Sequence, residues 1–219
     1  MLQLFNKFLV IIMAALLGAC TNPFTTREGQ VEKPGTFLPG QNGVYDPAVT
    51  PELVFVNLKK ALSDNNVAEY MKCFIPQSLQ GLPHSFLFIP EQHFANEFTR
   101  QPWTLNDEQN YFIQLVQSQK GDYPKIELNL GDGGEISLNP ITPTSVNDSL
   151  ETGSIKYNLK IAFSLDSSKT YSGLLQFRLF RSTTPPEVWY IYYWQDNALN
   201  KNYDQTWTNL KLYYRKKAL

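Results

Sequence analysis

The sequence predicts an α+β domain in which helices come first and an antiparallel meander follows. Two observations carry this. Before residue 117 the apolar residues recur at helical spacing, in segments with start and stop signals. From residue 125 the period drops to two, with turn residues between the runs. Helices followed by a run of strands is an α+β order.

Thr50-Pro51-Glu52 marks the first helix start. Thr50 can cap, Pro51 suits the first helical position, and Glu52 favours the positive end of the helix dipole. Leu53, Val54, Val56, Leu58, Ala61 and Leu62 form its apolar side. Asn65-Asn66 interrupts, Val67 to Phe74 makes a second short helix, and Pro76 ends it. Cys73, at the end of that helix, reads as a small buried hydrophobe. Phe86 to Ile89 is expected as a short buried strand before Pro90. Thr104 or Asn106 caps a further helix carrying Tyr111, Phe112, Leu115 and Val116.

Ile126, Leu128 and Leu130 alternate with polar residues, and Gly131-Asp132-Gly133-Gly134 then turns the chain into Ile136 and Leu138. Tyr157, Leu159, Ile161, Phe163 and Leu165 mark a half-buried strand. Asp166-Ser167-Ser168-Lys169 reads as a hairpin turn into Tyr171 to Arg181. Pro185-Pro186 breaks the pattern, and Val188 to Trp194 forms the last long strand. Strict alternation puts Trp189, Ile191 and Tyr193 on one face and Tyr190, Tyr192 and Trp194 on the other. Burial explains such a strand. An open aromatic platform able to stack a sugar or hydrophobic ligand is the alternative, so Trp189, Tyr190, Tyr192 and Trp194 are candidate ligand-binding residues.

The amino terminus gives an address. Phe8 to Leu17 is uninterrupted apolar, follows Lys7, and ends in Leu17-Gly18-Ala19-Cys20. This is a secretory signal architecture, and the run is too short to span a bilayer. Its end resembles the lipobox of bacterial lipoproteins. That resemblance implies cleavage between Ala19 and Cys20, a diacylglycerol thioether on Cys20, and a mature protein held at a membrane of the cell envelope. Thr21, rather than Asp, follows the cysteine, which by the sorting rule of enteric bacteria points to the outer membrane. Thr21 to Val49 carries four prolines and four glycines with little apolar periodicity and reads as a flexible tether. The expected organisation is therefore residues 1–19 as signal, 20–49 as lipidated cysteine and tether, and 50–219 as one domain.

Lys7 is the only charged residue before Cys20, so the mature chain keeps all but one of the 19 basic residues against 20 acidic ones. That balance gives no electrostatic case for nucleic acid. Lys211 with Arg215-Lys216-Lys217 reads as a solvated basic terminus, near enough to a membrane to touch anionic lipid.

The element order resembles the NTF2-like fold, whose helices pack in the hollow of a strongly curved antiparallel sheet. The resemblance covers residues 50 to about 213. Thr50-Pro51-Glu52, Tyr70-Met71-Lys72-Cys73-Phe74, Trp189-Tyr190-Ile191, Trp194-Gln195-Asp196 and Trp207 resemble uncharacterised bacterial lipoproteins with such domains. The match brings no reaction with it. Some NTF2-like proteins, of the ketosteroid isomerase and polyketide cyclase types, hold an Asp or Glu base and a Tyr donor inside the cone. Here Asp196 is the inward candidate, with a capping or turn role as the simpler reading.

No other constellation points to chemistry. His93 and Glu97 fall at i, i+4 if helical, without a third ligand of the kind zinc requires, and no metal is expected. The glycine cluster at 131–134 joins strands, so it is not a phosphate cradle. There is no G-x-S-x-G and no EF-hand pattern. No cofactor is expected. Three functions fit: a lipid-anchored, non-catalytic domain binding a small ligand or envelope protein; an isomerase- or dehydratase-type enzyme using a buried carboxylate and Tyr; and a structural module that forms a homodimer through its sheet.

Overall fold

The computed structural model describes residues 45–80, 84–117, 121–133, 136–141 and 149–218. The signal segment, Cys20 and the tether as far as residue 44 lie outside the described residues, as does Gly134.

The fold is α+β. Helix α1 (Pro51–Ser63) carries Pro51 at its start, while Thr50 contributes its carbonyl rather than a side-chain cap. Its buried side, Val54, Phe55, Leu58, Ala61 and Leu62, lies over strands β2 (Lys125–Leu130) and β7 (Trp189–Ala198). Asn65 ends the turn with φ of 55°, a value Asn tolerates better than most residues. Asn66 Oδ1 accepts from Glu69 N at 3.1 Å and caps α2 (Val67–Lys72). Cys73 follows, buried, its thiol acidity suppressed mainly by burial.

Between α2 and the meander lie β1 (Leu87–Ile89), α3 (Ala95–Arg100) and α4 (Leu105–Gln117). Thr104 is the residue that caps α4. Asp107 N donates to Thr104 Oγ1 at 3.2 Å, and Thr104 N donates to Asp107 Oδ2 at 2.8 Å, a reciprocal capping box.

The sheet runs β1-β7-β6 and then divides. Strand β6 (Ser168–Arg181) pairs on its far edge with both β5 (Ile155–Ala162) and β4 (Ser149–Thr152). Beyond them β2 pairs with β5, and β3 (Leu138–Pro140) pairs with β4. All pairs are antiparallel except β1 with β7, where Phe88 lies beside Trp194 in parallel register. The glycine cluster after β2 is therefore not a hairpin turn. Gly131, at φ 70°, still donates to Lys156 O at 2.8 Å, and the chain jogs onward to meet β4 instead of folding back on β2. The turn after β5 is a hairpin, closed by Phe163 N donating to Ser167 O at 2.8 Å.

Two irregularities at the same level of β6 bend the sheet. Residues 152–154 stand opposite only 176–177, and Thr152 Oγ1 accepts from Phe177 N at 2.9 Å, replacing a ladder bond. On the other edge Arg178 faces Tyr193 but Leu179 faces Ile191, so Tyr192 is an extra residue. Bulges of this kind increase local twist and turn a strand. The sheet is curved and unclosed, and its inner side is covered by the helices, with α5 (Trp207–Ala218) last in the chain.

The core is aromatic. Trp194 is fully buried, edge-to-face with Trp207 at 4.7 Å and with Phe177 at 5.3 Å. Tyr157 lies across Gly173, its cross-strand partner. A Cβ on Gly173 would stand 2.5 Å from Asn197 O and 2.9 Å from Tyr157 Oη. Gly173→Ala is therefore expected to lower stability by about 1–3 kcal/mol through overpacking. Urea unfolding would show this as a lower midpoint at unchanged slope.

Candidate functional site

The bulge at Tyr192 changes which aromatics share a face. Strict alternation fails: Trp189 and Ile191 point inward, the phase slips by one, and Trp194 and Asp196 point inward after it. Trp189 and Trp194 are buried, whereas Tyr190 and Tyr192 are half-buried on the other side. Tyr192 meets His84 edge-on at 4.8 Å, and His84 stacks on Phe180 at 4.2 Å. Of the four candidate residues, Trp189 and Tyr190 come together at a cavity of about 260 Å³. Its other walls are Tyr45 to Ala48, Val54 and Asn57 of α1, and Glu69, Lys72 and Cys73 of the α2 region. Tyr45 to Ala48 are held there by Trp189 N donating to Ala48 O at 2.8 Å and by Asn57 Nδ2 donating to Asp46 O at 2.8 Å.

A second constellation lies inside the fold. Glu108 of α4 and Lys211 of α5 are an ion pair with both side chains completely buried. Tyr70 Oη donates to Glu108 Oε1 at 2.6 Å, and Trp103 Nε1 donates to Glu108 Oε2 at 2.6 Å. The ammonium of Lys211 lies 3.6 Å from the ring centroid of Trp194, 4.2 Å from Phe88 and 5.3 Å from Trp103. Burial lowers the Lys211 pKa to about 8, against the opposing pull of Glu108. The expected basic terminus is thus broken up. Lys211 belongs to the core, and Arg215 lies over Trp103 at 4.6 Å and donates to Gln101 O at 3.0 Å. Only Lys216 and Lys217 of the four are exposed.

Asp196 is the third buried charge. Its Oδ2 accepts from Thr208 N at 2.6 Å and from Thr208 Oγ1 at 2.7 Å, and its Oδ1 accepts from Tyr157 Oη at 2.9 Å. Tyr157 Oη in turn accepts from Trp207 N at 2.7 Å. Asp196 therefore caps α5 from a neighbouring strand, taking donors that the helix leaves unpaired. Burial raises its pKa to about 6, and the bonds from Thr208 and Tyr157 hold it from rising further. Glu91 completes the set: its carboxylate accepts from Ala198 N, and its own N–H donates to Thr208 Oγ1 at 2.9 Å.

Glu91, Glu108 and Lys211 escaped the sequence reading of sites. Glu108 had a signal, since it sits three and four residues before Tyr111 and Phe112 on the apolar side of its helix. Lys211 is likewise in phase with Trp207 and Tyr214. Glu91 had none. His93 and Glu97 do not share a helix: His93 lies in a 3₁₀ turn and stacks on Tyr203 at 4.6 Å, while Glu97 pairs with Lys216 at 3.6 Å.

No family model matches this chain, and no curated protein matches it. Solved structures do. An NTF2-like protein of unknown function in nutrient uptake from Rhodospirillum rubrum is 9% identical, with a TM-score of 0.45 over 68% of this chain and 97% of that one. A conserved protein from Planctomyces limnophilus is 11% identical, with a TM-score of 0.46 over 68% and 92%. A ketosteroid isomerase-like protein from Erwinia carotovora atroseptica is 7% identical, with a TM-score of 0.41 over 68% and 93%. At such identities they say nothing of reaction or ligand.

The buried charges make two predictions. Lys211→Met strands the Glu108 charge and is expected to cost about 3–5 kcal/mol, most of it recovered in the Glu108→Gln, Lys211→Met double variant; urea unfolding of the three chains measures both. Asp196 titrates near 6 in the fold against 3.8 ordinarily, so the folded state binds the extra proton between those values. Its contribution therefore falls as pH rises from 3.8 to 6. Lys211 does the reverse, binding fewer protons in the fold from pH 8 to 10.5, where stability rises with pH. Asp196→Asn should remove the lower slope and leave the upper one, as stability measured across pH would show.

Proposed function

We propose that this chain is an envelope lipoprotein, anchored through lipid on Cys20, whose folded domain binds a ligand or partner without catalysing a reaction. The anchor rests on Leu17-Gly18-Ala19-Cys20 at the end of an apolar run, and Thr21 favours the outer membrane. The domain is read as NTF2-like from its own order, paired helices and then a bent meander.

One observation carries the non-catalytic reading. Among the described residues each buried carboxylate is already committed, Glu91 to the backbone N–H groups of Ala198 and His93. Glu108 takes bonds from Lys211, Tyr70 and Trp103, and Asp196 takes three from Thr208 and Tyr157. A general base needs a lone pair within reach of substrate. The cavity beside Trp189, Tyr190 and residues 45–48 is the candidate place for binding.

An enzymatic reading draws on two buried carboxylate–tyrosine pairs, Glu108 with Tyr70 and Asp196 with Tyr157. The first is held by the Lys211 ion pair. The second caps α5, and every bond it makes converges on that helix end.

Cys20→Ser is expected to move the protein from the membrane pellet to the soluble fraction and to abolish labelling by radioactive palmitate. Retention of the variant in carbonate-washed membranes would refute the anchor.

A further inference from the structure

The surroundings of Lys211 Nζ are those of a ligand site rather than of an ordinary core. Four aromatic rings, Trp194, Phe88, Trp103 and Tyr111, and a carboxylate converge on one ammonium, the arrangement by which proteins recognise organic cations. Stability alone does not account for it, since buried ion pairs are commonly matched or exceeded by apolar residues of the same volume. The site also contains an unused group. The indole N–H of Trp194, the ring nearest the ammonium, is buried and has no hydrogen-bond partner among the described residues. A lysine side chain offers no acceptor for it.

The occupant is supplied by α5. That helix is joined to β7 through Asn200 and Lys201 at positive φ, and it presents Tyr213, Lys216 and Lys217 to solvent. It is held to the core by Asp196 at its first turn, by Glu108 at Lys211, and by the buried side chains of Trp207, Leu210, Leu212 and Tyr214.

We propose that Glu108, Trp103, Phe88 and Trp194 form a binding site for a small organic ammonium, which the chain occupies with its own Lys211 while α5 is docked. A ligand cation would compete with Lys211 and select the state in which α5 is released. A ligand that also carries a hydrogen-bond acceptor could use the idle Trp194 N–H. This goes beyond the anchored binding module proposed above and does not depend on the lipid, so it is tested on the Cys20→Ser chain.

The probe is n-propylammonium, which replaces the atoms that Lys211→Ala removes; 1-propanol is its neutral control. In Lys211→Ala the amine should raise the thermal midpoint and slow amide exchange in residues 207–217, and the alcohol should do neither. In the unsubstituted chain the same amine should quicken exchange in 207–217 by about tenfold while β5 and β6 stay protected. Equal effects of amine and alcohol on Lys211→Ala would overturn the proposal. So would an unchanged α5 in the unsubstituted chain at amine levels that saturate the variant. If Lys211→Ala does not fold, the exchange of the unsubstituted chain, titrated to the solubility of the amine, decides alone. Membrane release of Cys20→Ser is a separate result, and neither outcome bears on the other.

Discussion

Glu108 and Lys211 are both removed from water, and neither can stay there without the other. Desolvating an ion costs several kcal/mol, which must be recovered from one partner and a few well-placed donors. The fold meets this demand from many directions. Glu108 comes from α4, Lys211 from α5, Tyr70 from α2, Trp103 from the approach to α4, Phe88 from β1 and Trp194 from β7. A shift of α2, α4 or α5 by a helical turn would leave a charge or a donor unpaired. The pair therefore acts as a register mark for the helical layer, which apolar contacts alone would fix less sharply.

The register mark depends on a local defect in the sheet. Side chains alternate along a strand, and a one-residue slip exchanges the faces. Without the extra residue at Tyr192, the phase set by Trp189 and Ile191 would send Trp194 and Asp196 outward. The aromatic wall beside Lys211 and the cap on α5 would then be lost together. The second irregularity, at residues 152–154, lies at the same level of β6 and is closed by the Thr152 hydroxyl. Curvature of the sheet and placement of its polar cluster thus have one origin.

The parts of this fold legible in the sequence are those governed by local rules. The change of period near residue 125 separates helices from strands, Thr104 or Asn106 marks the start of α4, and Asp166 to Lys169 marks a hairpin. What escaped depends on distant partners. Nothing near Tyr192 announces a bulge, because the bulge answers to β6. Gly131 to Gly133 has hairpin composition, yet β2 finds β5 as its partner. Proximity in sequence sets Lys211 with Arg215, Lys216 and Lys217, whereas its helical phase sets it with Trp207 and Tyr214. Phase, rather than local charge density, is the better guide to a buried cation.

The same distinction governs how Asp196 is understood. A carboxylate with a pKa near 6 beside a tyrosine resembles a catalytic base. A raised carboxylate pKa reports burial first, and burial serves structure as readily as catalysis. Here the test is the count of donors. Thr208 N and Oγ1 share one oxygen and Tyr157 holds the other, while Tyr157 is itself tied to Trp207 N. Three of these four bonds join β7 or β5 to the first turn of α5, and the fourth, from Tyr157 Oη to Asp196 Oδ1, ties the two strands together beside it. All four converge on one helix end, which explains the residue. Freeing Oδ2 for a substrate would require α5 to leave, which also uncovers Glu108. Any chemistry in this interior is consequently tied to the position of the last helix.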